Sequence, residues 1–164
     1  MQPEASFGRA EAGAHPLAEL LACPPATADL LNASAQGLEV AVGDAVFRQG
    51  EQCRGLFLVV TGQLLRKTER LNTRLNLGSV RPGDLVELAA ALGDGRHTYT
   101  LMGQTPASLV MLPHESLQQA FRAYPPLRMQ LLQELAREVS RGYDACCATR
   151  LAAIRHRSNG ASAG

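Results

Sequence analysis

Apolar positions along this chain follow two different periods. Between Leu38 and Leu112 they come as short runs, LEVAV, AVF, LFLVV, QLLRKTE and RLNLGSV. Turn signals divide them at Gly43-Asp44, Cys53-Arg54-Gly55, Thr61-Gly62 and Arg81-Pro82-Gly83-Asp84. Short strands at that spacing predict a sandwich or barrel. Before them, Leu17, Leu20 and Leu21 followed by Pro24-Pro25 predict one short helix, and Thr27 to Ala35, with Thr27 as its cap, a second that covers the barrel. After them, Ala107 to Leu112 reads as a closing strand, and His114 to Tyr124 as a helix bounded by Pro113 and Pro125-Pro126. The period then lengthens. Leu132, Leu135, Ala136, Val139, Tyr143, Cys146, Cys147, Arg150 and Ile154 recur at helical steps, a stripe longer than the barrel is wide and therefore in need of a partner.

The stretch GDLVELAAALGDGRHTYTLMGQ, Gly83 to Gln104, combines both patterns: turn, short helix, glycine loop, strand. Helix formers run from Glu87 to Leu92, Gly93-Asp94-Gly95 stops them, and a β-rich run follows from His97. A helix entered from a turn leaves backbone N–H groups unpaired, which is a common way of holding a phosphate. Glu87 stands at the helix start, with Arg96 and His97 as candidate anion partners.

That stretch resembles the phosphate-binding cassette of the cyclic nucleotide-binding domain family, of the catabolite-activator and fumarate-nitrate-reduction regulator type. The family pattern of Phe-Gly-Glu-Leu-Ala/Gly, about eight residues, then Arg-Ser/Thr-Ala-Thr/Ser aligns with Leu85-Val86-Glu87-Leu88-Ala89 and His97-Thr98-Tyr99-Thr100. The family's β-roll signature aligns with Val42-Gly43-Asp44, Phe47-Arg48-Gln49-Gly50-Glu51, Leu56-Phe57-Leu58-Val59-Val60 and Gly62. The resemblance implies a mainly β fold with flanking helices (α+β): a double-stranded β-helix, or jelly-roll-like β-roll, followed by a long C-terminal dimerisation helix. It also implies a candidate pocket of Val86, Glu87, Leu88, Ala89, Arg96, His97, Thr98 and Tyr99, in which Glu87 would hold a ribose hydroxyl. Leu132, Leu135, Val139, Tyr143 and Cys146 would face a twin helix across a two-fold axis.

Three positions depart from the cassette. Val86 stands where the family has glycine, restricting the backbone and filling space a ligand would cross. His97 replaces the arginine that would pair bidentately with phosphate, a loss of about 1.5–3 kcal/mol. Tyr99 brings a large ring where the family has a small residue. On a strand Arg96 would face away from His97, while Tyr99 would share its side. Exchanging Val86→Gly, His97→Arg and Tyr99→Ala together is expected to restore nucleotide binding. Glu87 has a second reading, because a carboxylate at a helix start is favourable without any ligand.

Composition narrows the function classes. A hydrophobic share of 46% over 164 residues suits one globular domain with short tails, expected as a disordered leader 1–15, a domain 16–156 and a disordered tail 157–164. Sixteen basic and fifteen acidic residues produce no field that selects nucleic acid or membrane. With no transmembrane run and no signal peptide, a cytoplasmic location is expected. Cys23, Cys53, Cys146 and Cys147 lack metal-ligand spacing, and Cys23 and Cys53 are expected to stay as free, buried or half-buried thiols. His114 reads as a helix-entrance residue, and no nucleophile-base set or phosphate-loop motif is present, so no enzyme activity is expected. The chain stops before a helix-turn-helix, so direct sequence-specific DNA reading is not expected. The reading is a regulatory or sensor domain with altered or weakened cyclic nucleotide binding that signals through a homodimer helix. No cofactor is certain, a cyclic nucleotide or other small anionic ligand being the candidate. The alternative is a dimeric protein-interaction module with a vestigial pocket.

Overall fold

The computed structural model describes residues 16–70 and 73–160; the expected leader, 1–15, and residues 161–164 lie outside them. Two compact units divide the chain after Leu131. In the first, α1 (Pro16–Leu21) and α2 (Pro25–Ala33) precede β1 (Gln36–Val40), β2 (Ala45–Phe47), β3 (Gly55–Thr61), β4 (Leu64–Arg70), β5 (Thr73–Val80) and β6 (Leu85–Val86). Then come α3 (Leu88–Leu92), β7 (Thr100–Gly103), β8 (Ala107–Pro113), α4 (His114–Ala123) and α5 (Pro126–Gly160), whose first turns bury Leu127 and Leu131. Thr27 is buried inside α2 and is not its cap; Pro24 holds that position without a side-chain bond, because proline at the first helical position pre-sets the backbone.

The strands form two four-stranded antiparallel sheets, β1-β8-β3-β6 and β2-β7-β4-β5. This is the mainly β fold with flanking helices: turn spacing predicts a sandwich or barrel, and the family resemblance implies the roll. Alternation turns Phe57 and Val59 of β3, Leu64 of β4, Leu101 of β7 and Leu109 of β8 into one core. The other faces of β3 and β8 meet α4, and α4 meets α2, where the hydroxyls of Ser34 and Ser116 are paired.

Two differences from the sequence expectation lie in the central stretch. Leu85-Val86 is a short strand rather than part of a turn, pairing Val86 with Phe57 and Leu85 with Leu58. The run from His97 is not a strand until Thr100. Its backbone bonds instead to the turn after β2, with Gly50 N–H donating to His97 O (2.9 Å) and His97 N–H to Glu51 O (2.9 Å).

Gly62 holds the β3–β4 turn at φ +79°, and an added Cβ would lie 2.3 Å from Pro106 O and 2.7 Å from Ala107 Cα. Gly43 has a similar φ of +84° but open space around it. Gly43→Ala is expected to cost about 1–2 kcal/mol from the left-handed backbone alone. Gly62→Ala adds a backbone clash and should cost clearly more; equal urea midpoints for the two variants would refute this.

The second unit, from Leu132, is the remainder of α5, which runs to Gly160 and so enters the stretch 157–164 expected as tail. Val139 and Tyr143 are 63% and 69% exposed and Ile154 is also exposed, while Leu132 and Leu135 are half-buried. The side chain of Cys146 lies outside the described set. Glu134 pairs with Arg137 (2.9 Å) and Arg141 (3.1 Å), exposed contacts that add little to helix stability. Among the described residues no helix is long and apolar enough to cross a membrane.

Candidate functional site

Three local features set the geometry at Glu87. Strand β6 delivers the chain inward, so that Val86 is fully buried in the core. Glu87 then takes a left-handed backbone (φ 69°, ψ 37°), an unfavourable state for a residue with a side chain, at about 1–2 kcal/mol. Helix α3 begins immediately after it, only five residues long, with Leu88 buried and Ala89 half-buried.

The left-handed turn sends the carboxylate into the protein and not toward the helix start. Glu87 makes no side-chain cap bond to α3. Its side chain has no exposure, and its Oε2 lies 3.0 Å from Nδ1 of His97, itself 4% exposed. The Thr98 hydroxyl donates to Oε1 at 2.8 Å, and the Thr98 N–H to Oε2 at 3.3 Å. The Glu87 N–H donates to the Tyr99 hydroxyl at 3.3 Å. A carboxylate removed from water is tolerated when its lone pairs are used in this way.

His97 is fixed from its other side by an aromatic stack. The Phe47 ring lies parallel to it (5°) with centroids 3.7 Å apart, and Phe57 and Tyr99 flank Phe47. Tyr99 is a core residue with the Arg66 guanidinium 5.8 Å from its ring centroid, a cation–π distance. Arg96 is exposed while His97 is buried, and the Arg96 Nη1 donates to Gly50 O at 3.1 Å.

The structure therefore brings Glu87, His97, Thr98 and Tyr99 together as one hydrogen-bonded cluster, buries Val86 and Leu88 in the interior, and leaves Arg96 outside. Phe47 was not singled out for this site by the sequence reading, although it begins the FRQGE run; a stacking partner fifty residues from His97 has no local signature. His114 is exposed with a 3.5 Å contact to Gln118 and no other role in the site.

Cys53, half-buried, donates its thiol to Gly55 O (3.0 Å). Desolvation raises its pKa most, Glu87's charge raises it further, and the Gly55 bond works in the opposite direction. Burial likewise raises that of Cys23. Cys23, Cys53 and Cys147 are free thiols. Among the described residues no group of three or more histidine, cysteine or carboxylate side chains is placed to hold a metal.

Residues 38–124, more than half of the chain, match the family model described as the cyclic nucleotide-binding domain. No curated protein sequence gives a significant match. Among solved structures, the chain is similar to the N-terminal domain of a transcriptional regulator from Streptomyces coelicolor A3(2), at 27% identity and a TM-score of 0.59, covering 77% of this chain and 91% of that one. The sensor domain of the transcriptional regulator DNR from Pseudomonas aeruginosa is similar at 21% identity and a TM-score of 0.66, over 79% of this chain and 87% of that one. Thermus thermophilus catabolite activator protein has the same fold at 23% identity and a TM-score of 0.66; the match takes in 78% of this chain and 59% of the length of that one.

Proposed function

The chain belongs to the cyclic nucleotide-binding domain family, and on that footing we propose that it is a non-catalytic regulatory domain in which nucleotide binding is weakened because the cassette is filled by its own side chains. The observation that carries this reading is the Glu87 carboxylate. It has no exposure and is engaged by His97 and Thr98, so the group that would hold a ribose hydroxyl is already occupied. The position of the phosphate-pairing arginine is taken by His97, which faces Glu87. Arg96, the neighbouring cation, is turned outward onto Gly50.

Calorimetric titration with cyclic AMP and cyclic GMP tests this. A fully paired site holding its ligand at about 1 µM weakens to about 10–150 µM when a charge-assisted contact worth about 1.5–3 kcal/mol is lost. Binding in or above that range is expected, and a sub-micromolar dissociation constant would refute the reading. Burial of Val86 and Tyr99 in the core favours a second reading, a vestigial pocket in an interaction module. It predicts no saturable heat with either nucleotide.

The same proposal has the domain act as a homodimer through α5, carried by the exposure of Val139 and Tyr143 one helical turn apart. A charge placed there by Val139→Asp should convert a dimer to monomer in light scattering. A natural chain already monomeric at micromolar concentration would remove the dimer from the proposal.

A further inference from the structure

The turn after β2 lies over the site as a strap. Its backbone is bonded to the His97 segment at three points: Gly50 N–H to His97 O (2.9 Å), His97 N–H to Glu51 O (2.9 Å) and Cys53 N–H to Gly95 O (2.7 Å). The Arg96 guanidinium adds its bond to Gly50 O, and Phe47, at the strap's root, stacks on the His97 ring. The strap closes on itself through the Arg48 N–H to Glu51 Oε2 bond (3.0 Å) and the Glu51 N–H to Arg48 O bond (3.1 Å).

Gln49 connects this strap to the second sheet. Pairing of β4 with β7 ends at Lys67 opposite Thr100, leaving Thr68 and Glu69 beyond the last paired residue of β7. The Gln49 carboxamide takes over from there. Its Oε1 accepts from the Glu69 N–H (2.9 Å) and the Thr68 hydroxyl (3.1 Å), and its Nε2 donates to Glu69 O (3.4 Å). One side-chain amide thus accepts and donates to the same residue, as a strand peptide would. The Gln49 N–H donates to Thr100 Oγ1 (3.0 Å), tying the strap to the first residue of β7 as well.

We infer that Gln49 is a positioning residue for the site: by completing the sheet at Thr68 and Glu69 it anchors the strap, and the anchored strap holds His97 between Phe47 and Glu87. The Gly50, Glu51 and Cys53 backbone bonds reach only the 95–97 segment, and by themselves would let the two lift together against the single Gln49 N–H tie to Thr100. The Gln49 bonds to β4 attach that pair to the sheet. This goes beyond the ligand reading and requires no ligand, so its test stands whether or not a nucleotide binds.

The test is amide hydrogen exchange together with diethylpyrocarbonate labelling of histidines in the natural chain and in Gln49→Met, which keeps the side-chain length and removes its polar atoms. The amides of Glu69, Gly50 and His97 are expected to exchange about tenfold faster or more in the variant, while that of Leu109, in the middle of β8, keeps its rate. Labelling of buried His97 should rise with them, and that of exposed His114 should not change. Gln49→Glu, which keeps the acceptor and loses the donor, should fall between the two. Acceleration at Glu69 alone would mean that Gln49 only finishes a strand and would overturn the inference, as would no acceleration anywhere. If Gln49→Met raises the Leu109 rate equally, Thr68→Val decides, since it removes one Gln49 contact and leaves the carboxamide in place. A smaller rise confined to Glu69, Gly50 and His97 supports the anchor, and a uniform or absent rise refutes it.

Discussion

Glu87→Ala is expected to lower stability by about 3–5 kcal/mol, the sum of leaving more than one buried polar group without its acceptor at about 1–3 kcal/mol each. The size follows from what is left behind. The His97 ring, 4% exposed, loses the partner of Nδ1, and the Thr98 hydroxyl and N–H lose a common acceptor. Alanine keeps the left-handed backbone, so its strain is not relieved. The thermal midpoint should fall by about 10 °C or more. Glu87→Gln retains an acceptor for the Thr98 hydroxyl and should cost less, about 1–2 kcal/mol. Combined with His97→Ala, the Glu87→Ala loss should be clearly less than additive, with about 1 kcal/mol or more of coupling. A Glu87→Ala protein as stable as the natural chain within about 1 kcal/mol would show that the cluster contributes nothing to holding the fold.

The three-site exchange Val86→Gly, His97→Arg and Tyr99→Ala is expected to abolish cooperative folding and not to restore nucleotide binding. From the sequence, all three positions read as pocket wall. In the structure they are interior: Val86 is 1% exposed on a strand paired with Phe57, and Tyr99 packs beside Phe47 in the same core. Replacing a buried aromatic ring by alanine costs about 3–5 kcal/mol. Glycine at Val86 removes a buried side chain and adds backbone freedom, and arginine must fit where an imidazole stacks 3.7 Å from Phe47. Together these losses approach the whole stability of an ordinary domain, about 5–15 kcal/mol. Near-UV circular dichroism and urea unfolding measure the result. A variant that unfolds cooperatively within about 10 °C of the natural chain would mean that these side chains line an opening after all.

Repeats of strand and turn made the β-roll legible because both signals are local. Alternation within LFLVV and a positive-φ glycine such as Gly62 depend on a few neighbouring residues. Arg96 is exposed and His97 buried although residues 96–99 are not a regular strand, and Tyr99, read as pocket wall, is a core residue. Thr27 was misjudged by a local rule, since a cap signature three residues into a proline-started helix is overridden by burial. Helical steps in the sequence predicted α5 over most of its length.

The sequence by itself determined the strand-and-turn order, the flanking helices and the apolar stripe of the last helix, each set by periodicity, chain reversal or capping within a few residues; the positions aligned with the cassette came from the family resemblance. Only the tertiary structure decided that Glu87 faces inward. That direction goes with a left-handed turn at Glu87 and with bonds from His97 and Thr98, on a 95–100 segment that Phe47 and the Gln49 strap, some fifty residues earlier, contact directly. Whether a carboxylate meets a ligand or a histidine is a matter of which distant groups converge on it, and convergence over such separations leaves no periodic trace along the chain.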